Sequence, residues 1–182
     1  MTENGEAHLT GCFTGLRVLD FSTTIVGPHC ARMLADVGAE VIKIEAAEGE
    51  TMRTRPPVRN GCSTVFGQLN VGKKSLVLDL KSPEGLDAVR RLVARTDIVV
   101  ENFRPGVMRR LKLDYDSLRP LNDKLIYCSI SGYGQTGPYR DRPGYDVVAQ
   151  GESGIVDLTG EPDRQPVKVG ASIADIVAGL YA

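Results

Sequence analysis

Two short apolar runs separated by one amphipathic stretch constrain this chain more than any other feature. Leu16 to Ser22 (LRVLDFS) is a β-branched and apolar segment with the length of a buried strand. Gly27-Pro28 then opens a helix, because proline is tolerated at the first helical position, where no amide donor is needed. Cys30, Met33, Leu34 and Val37 fall at i, i+3, i+4 and i+7 and form one apolar stripe, with Gly38 as the stop. Glu40 to Ala46 (EVIKIEA) reads as a second strand. Strand, helix and strand within about thirty residues predict a βαβ unit with parallel pairing and a right-handed crossover.

The alternation continues. KKSLVLDL is a further strand, and Ser82-Pro83-Glu84 starts a helix with Ser82 as N-cap and Leu86, Val89, Leu92 and Val93 as its buried stripe. Asp97 to Val100 begins the next strand, which ends at Glu101-Asn102-Phe103. Short helices near Val107 to Leu111 and Tyr115 to Leu121 precede the strand LIYCSIS, Leu125 to Ser131. Residues 47–71 carry no periodic pattern and read as a long loop. The fold class expected is α/β, a Rossmann-like open and mainly parallel sheet with flanking helices. At 182 residues the chain has the size of one domain, with residues 1–14 as a flexible tail.

Charge and composition exclude several function classes. Lys plus Arg number 22 and Asp plus Glu 23, so no broad field attracts nucleic acid or anionic lipid, and any bound anion needs a local basic cluster. No stretch approaches the roughly 18 apolar residues that span a bilayer. The acidic, polar start MTENGEAHLTGCF is unlike a signal peptide. Cys12, Cys30, Cys62 and Cys128 form no C-x-x-C pair, which suits reduced thiols in a cytoplasmic protein. With only His8 and His29, no metal site is expected.

Gly132-Tyr133-Gly134-Gln135-Thr136-Gly137 is formally G-x-G-x-x-G after a strand. The dinucleotide fingerprint needs a helix to begin inside it, yet Pro138 to Gly144 reads as loop, so these glycines are turn-formers that allow close backbone approach. Basic residues cluster at Lys73-Lys74, Arg104 and Arg109-Arg110. They are either a solvated face or, near strand ends, a phosphate site. Tyr145 and Asp146 could orient a substrate or close a turn; Glu152 and Ser153 sit in a Gly-flanked segment. Asp20 interrupts an apolar strand and could bond backbone.

Asp175 is the sharpest single residue, the only charge in VGASIADIVAGLYA. Ser172-x-x-Asp175 is a capping box at the start of a helix. A helix N-terminus also favours the ionised carboxylate that a nucleophile requires. The two readings are compatible. This helix is still running at Ala182 without a stop signal, which suggests a longer protein.

The residues as a set resemble the family III CoA-transferases of the CaiB/BaiF type. The resemblance runs through LRVLDFSTTIVGPHCARMLADVGAEVIKIE, NVGKKSLVLDLKSPEG, DIVVENFRPGVMRRLKLDYDSL, LIYCSISGYGQTGPYRDRPGYDVVAQGESG and TGEPDRQPVKVGASIADIVAGLYA, nearly all of residues 15–182. It implies that these residues are the N-terminal part of a large domain, with the rest of it and a second domain beyond, in a homodimer of interlocked chains. It implies coenzyme A and acyl-CoA as substrates, with no tightly bound cofactor, and carboxylic acids, dicarboxylates among them, as partners.

The same resemblance assigns Asp175 as the nucleophile that forms a mixed anhydride and then an aspartyl-CoA thioester. Asn102, Phe103 and Arg110 are implied as CoA contacts, with Lys74 as a further one and Tyr145 as a substrate-orienting residue. Two positions depart from the pattern: Ala46 stands where many members carry an adenine-stacking Arg, and Ile25 where oxalate-directed members carry Gln. The alternatives are an α-methylacyl-CoA racemase of the same fold, whose His position here is Tyr145, and a CoA-binding module without catalysis.

Overall fold

The computed structural model describes residues 11–182. Of the tail expected over residues 1–14, residues 1–10 therefore lie outside the described residues. Residues 11–14 form a turn tied to the body of the fold, since the Phe13 amide donates to Val37 O at 3.0 Å.

The first unit is the expected βαβ: strand β1 (Arg17–Asp20), helix α1 (Val26–Asp36) and strand β2 (Glu40–Glu45). The stripe on α1 is rotated from the one read off the periodicity. Cys30 and Ala31 are buried, with Leu34 and Ala35 packed beside them, whereas Met33 is exposed. Small alanines let α1 lie close to the sheet, and the longer Met33 turns outward.

Residues 47–71 are not a structureless loop. A 3₁₀ turn over Thr51–Thr54 leads to the hairpin β3 (Val58–Arg59) and β4 (Cys62–Ser63), then to helix α2 (Thr64–Asn70). Asn60 and Gly61 take positive φ at the hairpin tip, as a tight two-residue turn requires. Ser63 Oγ caps α2 by accepting from the Phe66 amide.

Strand β5 (Lys74–Val77) and helix α3 (Pro83–Val93) follow, with Ser82 Oγ accepting from the Gly85 amide at 3.0 Å as the N-cap predicted. Strand β6 (Ile98–Glu101), the short helices α4 (Val107–Arg110) and α5 (Tyr115–Leu118), and strand β7 (Ile126–Ser129) complete the central sheet. Helices α6 (Asp146–Glu152), α7 (Ile155–Thr159) and α8 (Ile173–Tyr181) close the described chain. The segment around Asp146 and Glu152, read from sequence as turn and loop, is thus helical.

All five main strands pair in parallel, in the order β5-β2-β1-β6-β7. Successive β1 side chains point to opposite faces. Val18 packs with Cys30, Ala31, Val41 and Val100 under α1, while Leu19 packs with Val89, Val93 and Val99 under α3. The central strands β1, β2 and β6 are buried on both faces, which explains their near-continuous apolar runs. The strand–turn after β7 has no helix inside the G-x-G-x-x-G segment; instead Gly132 and Gly144 lie so close that a Cβ on Gly132 would stand 2.5 Å from Gly144 Cα.

Candidate active site

The strand order reverses between β1 and β6, and the crevice outside the carboxyl ends at such a reversal is where open α/β sheets hold ligands. The loop after β1 meets the loop after β6 there. Asn102 joins them: its Oδ1 accepts from the Thr23 amide and its Nδ2 donates to Thr23 O, both at 2.8 Å. Glu101 braces the second loop by accepting from the Phe103 amide at 2.8 Å and from Ser129 Oγ, and burial pushes its carboxyl above the usual range.

A buried ion network lies beneath the first loop. Lys43 Nζ donates to Ser22 O at 2.7 Å, sits 3.1 Å from Glu50 and 3.8 Å from Asp20. Glu50 accepts in turn from the amide of Thr24, a non-glycine residue held at φ 70°. Lys73 Nζ pairs with Asp20 at 2.8 Å and donates to Pro28 O and Asn70 Oδ1. Burial pulls the Lys73 ammonium below its ordinary value, with Asp20 opposing. No side chain among Asp20, Lys43, Glu50 and Lys73 is more than 2% exposed. Charges so deep are tolerable only when each has partners, and here each does. Asp20 also accepts from the Ser22 amide at 2.9 Å, the backbone bonding expected of it.

Asp175 stands in the first turn of α8, half-buried, facing two adjoining cavities of about 430 and 220 Å³. Asn102, Ser131, Gly132 and Tyr145 line both with it. The capping box expected here does not form: Ser172, at φ −76° and ψ 67°, makes no side-chain cap bond. Asp146 takes that place from α6. Its Oδ1 accepts from the Ala174 amide at 2.8 Å and, longer, from the Asp175 amide at 3.4 Å. Gln150, buried to 1%, donates to Asp146 Oδ2 at 2.6 Å and accepts from the Val169 amide at 2.8 Å, tying α6 to the approach of α8.

Burial first, and then the neighbouring Asp146 carboxylate, push the Asp175 carboxyl up to about 6. A helix N-terminus favours the ionised form, whereas burial and the like charge of Asp146 act against it. At neutral pH the carboxylate remains in excess, and it is more basic than an ordinary aspartate. A more basic carboxylate is a better nucleophile at the same ionised fraction.

The structure brings Asp175, Asn102, Phe103 and Tyr145 to one place. Phe103 lines the smaller Asp175 cavity and also a neighbouring slot of about 410 Å³ formed with Ala46, Leu78, Leu80 and Lys81. Arg104 and Ile25 line the smaller cavity as well. Lys74 lies elsewhere, at the amino end of β5, its side chain 70% exposed and its Nζ 2.6 Å from Glu40. Arg110 is exposed on α4 and lines none of these three cavities. Three residues of the site carried no signal in the sequence: Ser131, whose buried Oγ has no hydrogen-bond partner; Thr23; and Gln150. Glu152, singled out only as part of a loop, lines the larger cavity and accepts from Tyr133 OH at 2.9 Å. Among the described residues no helix is long and apolar enough to cross a membrane.

Known proteins resemble this chain in sequence and fold. The chain is 49% identical over 177 residues to the succinate–glutarate CoA-transferase of Agrobacterium fabrum, covering 93% of this chain and 44% of that one. It is 42% identical over 183 residues to the acetyl-CoA:oxalate CoA-transferase of Acetobacter aceti, covering 100% and 47%. A crystal structure of a CaiB/BaiF family protein from Brucella suis superposes with a TM-score of 0.91 at 46% identity, over 94% of this chain and 47% of that one. The chain therefore spans about half the length of the curated relatives it matches. The profile of CoA-transferase family III matches residues 13–182, nearly the whole of the described chain, and the chain belongs to CoA-transferase family III.

Proposed function

We propose that this chain carries the nucleophile of a CoA-transferase that moves CoA from an acyl-CoA thioester to a free carboxylic acid. The observation that carries the reading is Asp175 at the wall of two adjoining cavities on the carboxyl edge of the sheet, with its carboxyl raised to about 6. An Asp175 oxygen attacks the thioester carbonyl carbon and the C–S bond breaks, giving a mixed anhydride and CoA thiolate. The thiolate attacks Asp175 Cγ, the C–O bond to the donor acid breaks, and an aspartyl-CoA thioester remains. The acceptor carboxylate attacks the same Cγ and expels thiolate, which then takes the acceptor acyl group and frees Asp175. No proton is gained or lost over the cycle, and the thioester bond energy is conserved through each covalent stage.

CoA would run from the Asp175 cavities past Phe103 into the slot beside Ala46, a path supported by the side chain of Phe103 lining both. Small dicarboxylates are the acids proposed, by likeness to the succinate–glutarate relative. CoA comes and goes as substrate, without a tightly bound cofactor. A cytoplasmic homodimer belongs to the same proposal.

The test is incubation with succinyl-CoA and hydroxylamine, followed by mass analysis of the peptide carrying residue 175. A hydroxamate on Asp175, absent from Asp175→Ala, is the expected result. An unmodified peptide under conditions that consume succinyl-CoA overturns the covalent route. Deuterium entering the α-carbon of a 2-methylacyl-CoA with Asp175 unmodified points instead to a racemase.

A further inference from the structure

Asp146 makes contacts that no role of substrate orientation explains. Its Oδ1 accepts from two consecutive amides, Ala174 and Asp175, at the start of α8. Its Oδ2 is held by Gln150, which is itself 1% exposed and bonded to the Val169 amide. The carboxylate is therefore fixed from both ends of the junction and cannot swing away from Asp175. Ser172, the residue in sequence position to cap α8, makes no such bond.

We propose that Asp146 is the positioning residue of the nucleophile: it holds the first turn of α8 by accepted backbone hydrogen bonds and sets a second carboxylate beside Asp175, so that acylation of Asp175 relieves a like-charge contact. The proposal rests on the covalent role of Asp175 given above. Asp146 Oδ1 lies 3.4 Å from the Asp175 amide nitrogen, which brings the two carboxylates near each other in a half-buried setting where repulsion is poorly screened. Anhydride and thioester at Asp175 Cγ are neutral, and the repulsion ends when either forms. The fixed charge thus raises the free nucleophile relative to its covalent states. The raised Asp175 carboxyl, for which Asp146 is the second cause after burial, agrees with this.

Other titratable groups face the same place. Glu152 on α6 and Tyr133 and Tyr145 line the larger cavity, Arg104 lines the smaller one, and His29 on α1 packs against Gly179 of α8. Asp146 differs from these in being bonded to the nucleophile's own amide.

Asp146→Asn tests the proposal, because it keeps an acceptor oxygen for both amides and removes the charge. It also loses the bond from Gln150 to Oδ2, and Gln150→Leu, which loses that bond with the charge in place, is the control. Asp175 is titrated by carbon NMR of its carboxyl in the wild type and in the variant, and succinyl-CoA/hydroxylamine trapping is followed against pH in both. The expected result is a fall of roughly one pH unit in the Asp175 midpoint. The acid limb of trapping should move down by the same amount, and trapping at pH 7.5 should slow by about tenfold, the factor that one unit represents at full sensitivity. A purely structural cap would move neither the midpoint nor the limb. Superimposable titrations of Asp146→Asn and wild type overturn the proposal. A moved midpoint with no trapping in the wild type leaves Asp146 as the positioning residue and removes the CoA-transfer reading instead.

Discussion

Asn102 and Thr23 exchange two hydrogen bonds of 2.8 Å across the point where the strand order reverses, an amide side chain pairing with a peptide unit as one strand pairs with another. The residue implied as a CoA contact is thereby first a clamp on the wall of the cavity. It can present to a ligand only what the clamp leaves free.

Asn102→Ala should lose about 1–3 kcal/mol of stability, because a half-buried peptide unit is left without its partner. Asn102→Asp keeps the acceptor but sets a carboxylate oxygen against Thr23 O, and should cost at least as much as alanine. Urea unfolding of the three proteins checks the order. An alanine variant as stable as the wild type would mean that the loop does not depend on this pair.

Lys43 sits at the centre of the buried charges, so Lys43→Met strands Glu50 without its cation and leaves Asp20 with Lys73 alone. The expected cost is about 3–5 kcal/mol, the range for breaking a buried ion pair on one side. Thr24, held in the left-handed region by Glu50, should be released with it. Urea midpoints measure the first effect, and protease cleavage near residues 22–26 the second.

Much of the sheet was legible in the sequence because its signals are local. The Gly-Pro opening of α1, the Ser82 cap and the apolar strand runs are read within a few residues. What was not legible depends on contacts between distant residues. The segment 47–71 is ordered by Arg53, whose guanidinium pairs with Glu45 at 2.6 Å and stacks on Phe66 at 4.1 Å. Asp146 displaces the local Ser172 cap from 28 residues away. Periodicity placed Met33 on the buried stripe, but the sheet selected the alanines two positions to either side. Asp175 stood out as a lone charge, whereas its environment, burial with a second carboxylate, could come only from tertiary structure.

For Asp175 the folded carboxyl titrates higher than the unfolded one, from 3.8 to about 6. The folded state then binds the proton more tightly, so this group disfavours folding increasingly as pH rises from below 4 through 6. Asp175→Asn should therefore stabilise the chain above pH 7, by about 1 kcal/mol once screening through the open cavity is allowed for, and change little at pH 3.5. Thermal unfolding at the two pH values checks the sign.

Gly179 of α8 lies against α1 so tightly that an added Cβ would stand 2.6 Å from Val26 O. Gly179→Ala should push the helices apart at a cost of about 1–3 kcal/mol and carry Asp175 with the displaced helix. Reduced hydroxylamine trapping together with a lower melting temperature would show both effects in one variant.

Cys12 and Cys62 are exposed, Cys30 is buried and Cys128 lies partly buried near it. A thiol-reactive disulfide reagent should modify two thiols promptly in the folded chain and the other two only as it unfolds. Four fast thiols would contradict the packing of α1 on the sheet.

The walls of the cavity come from residues 23, 102, 145 and 175, stretches that are far apart along the chain and adjacent only once five parallel strands have paired. Contacts of such long sequence separation form late, since loop closure must precede any gain from them. During synthesis the ribosome must release more than nine-tenths of these 182 residues before the Asp175 carboxylate has any pocket to face.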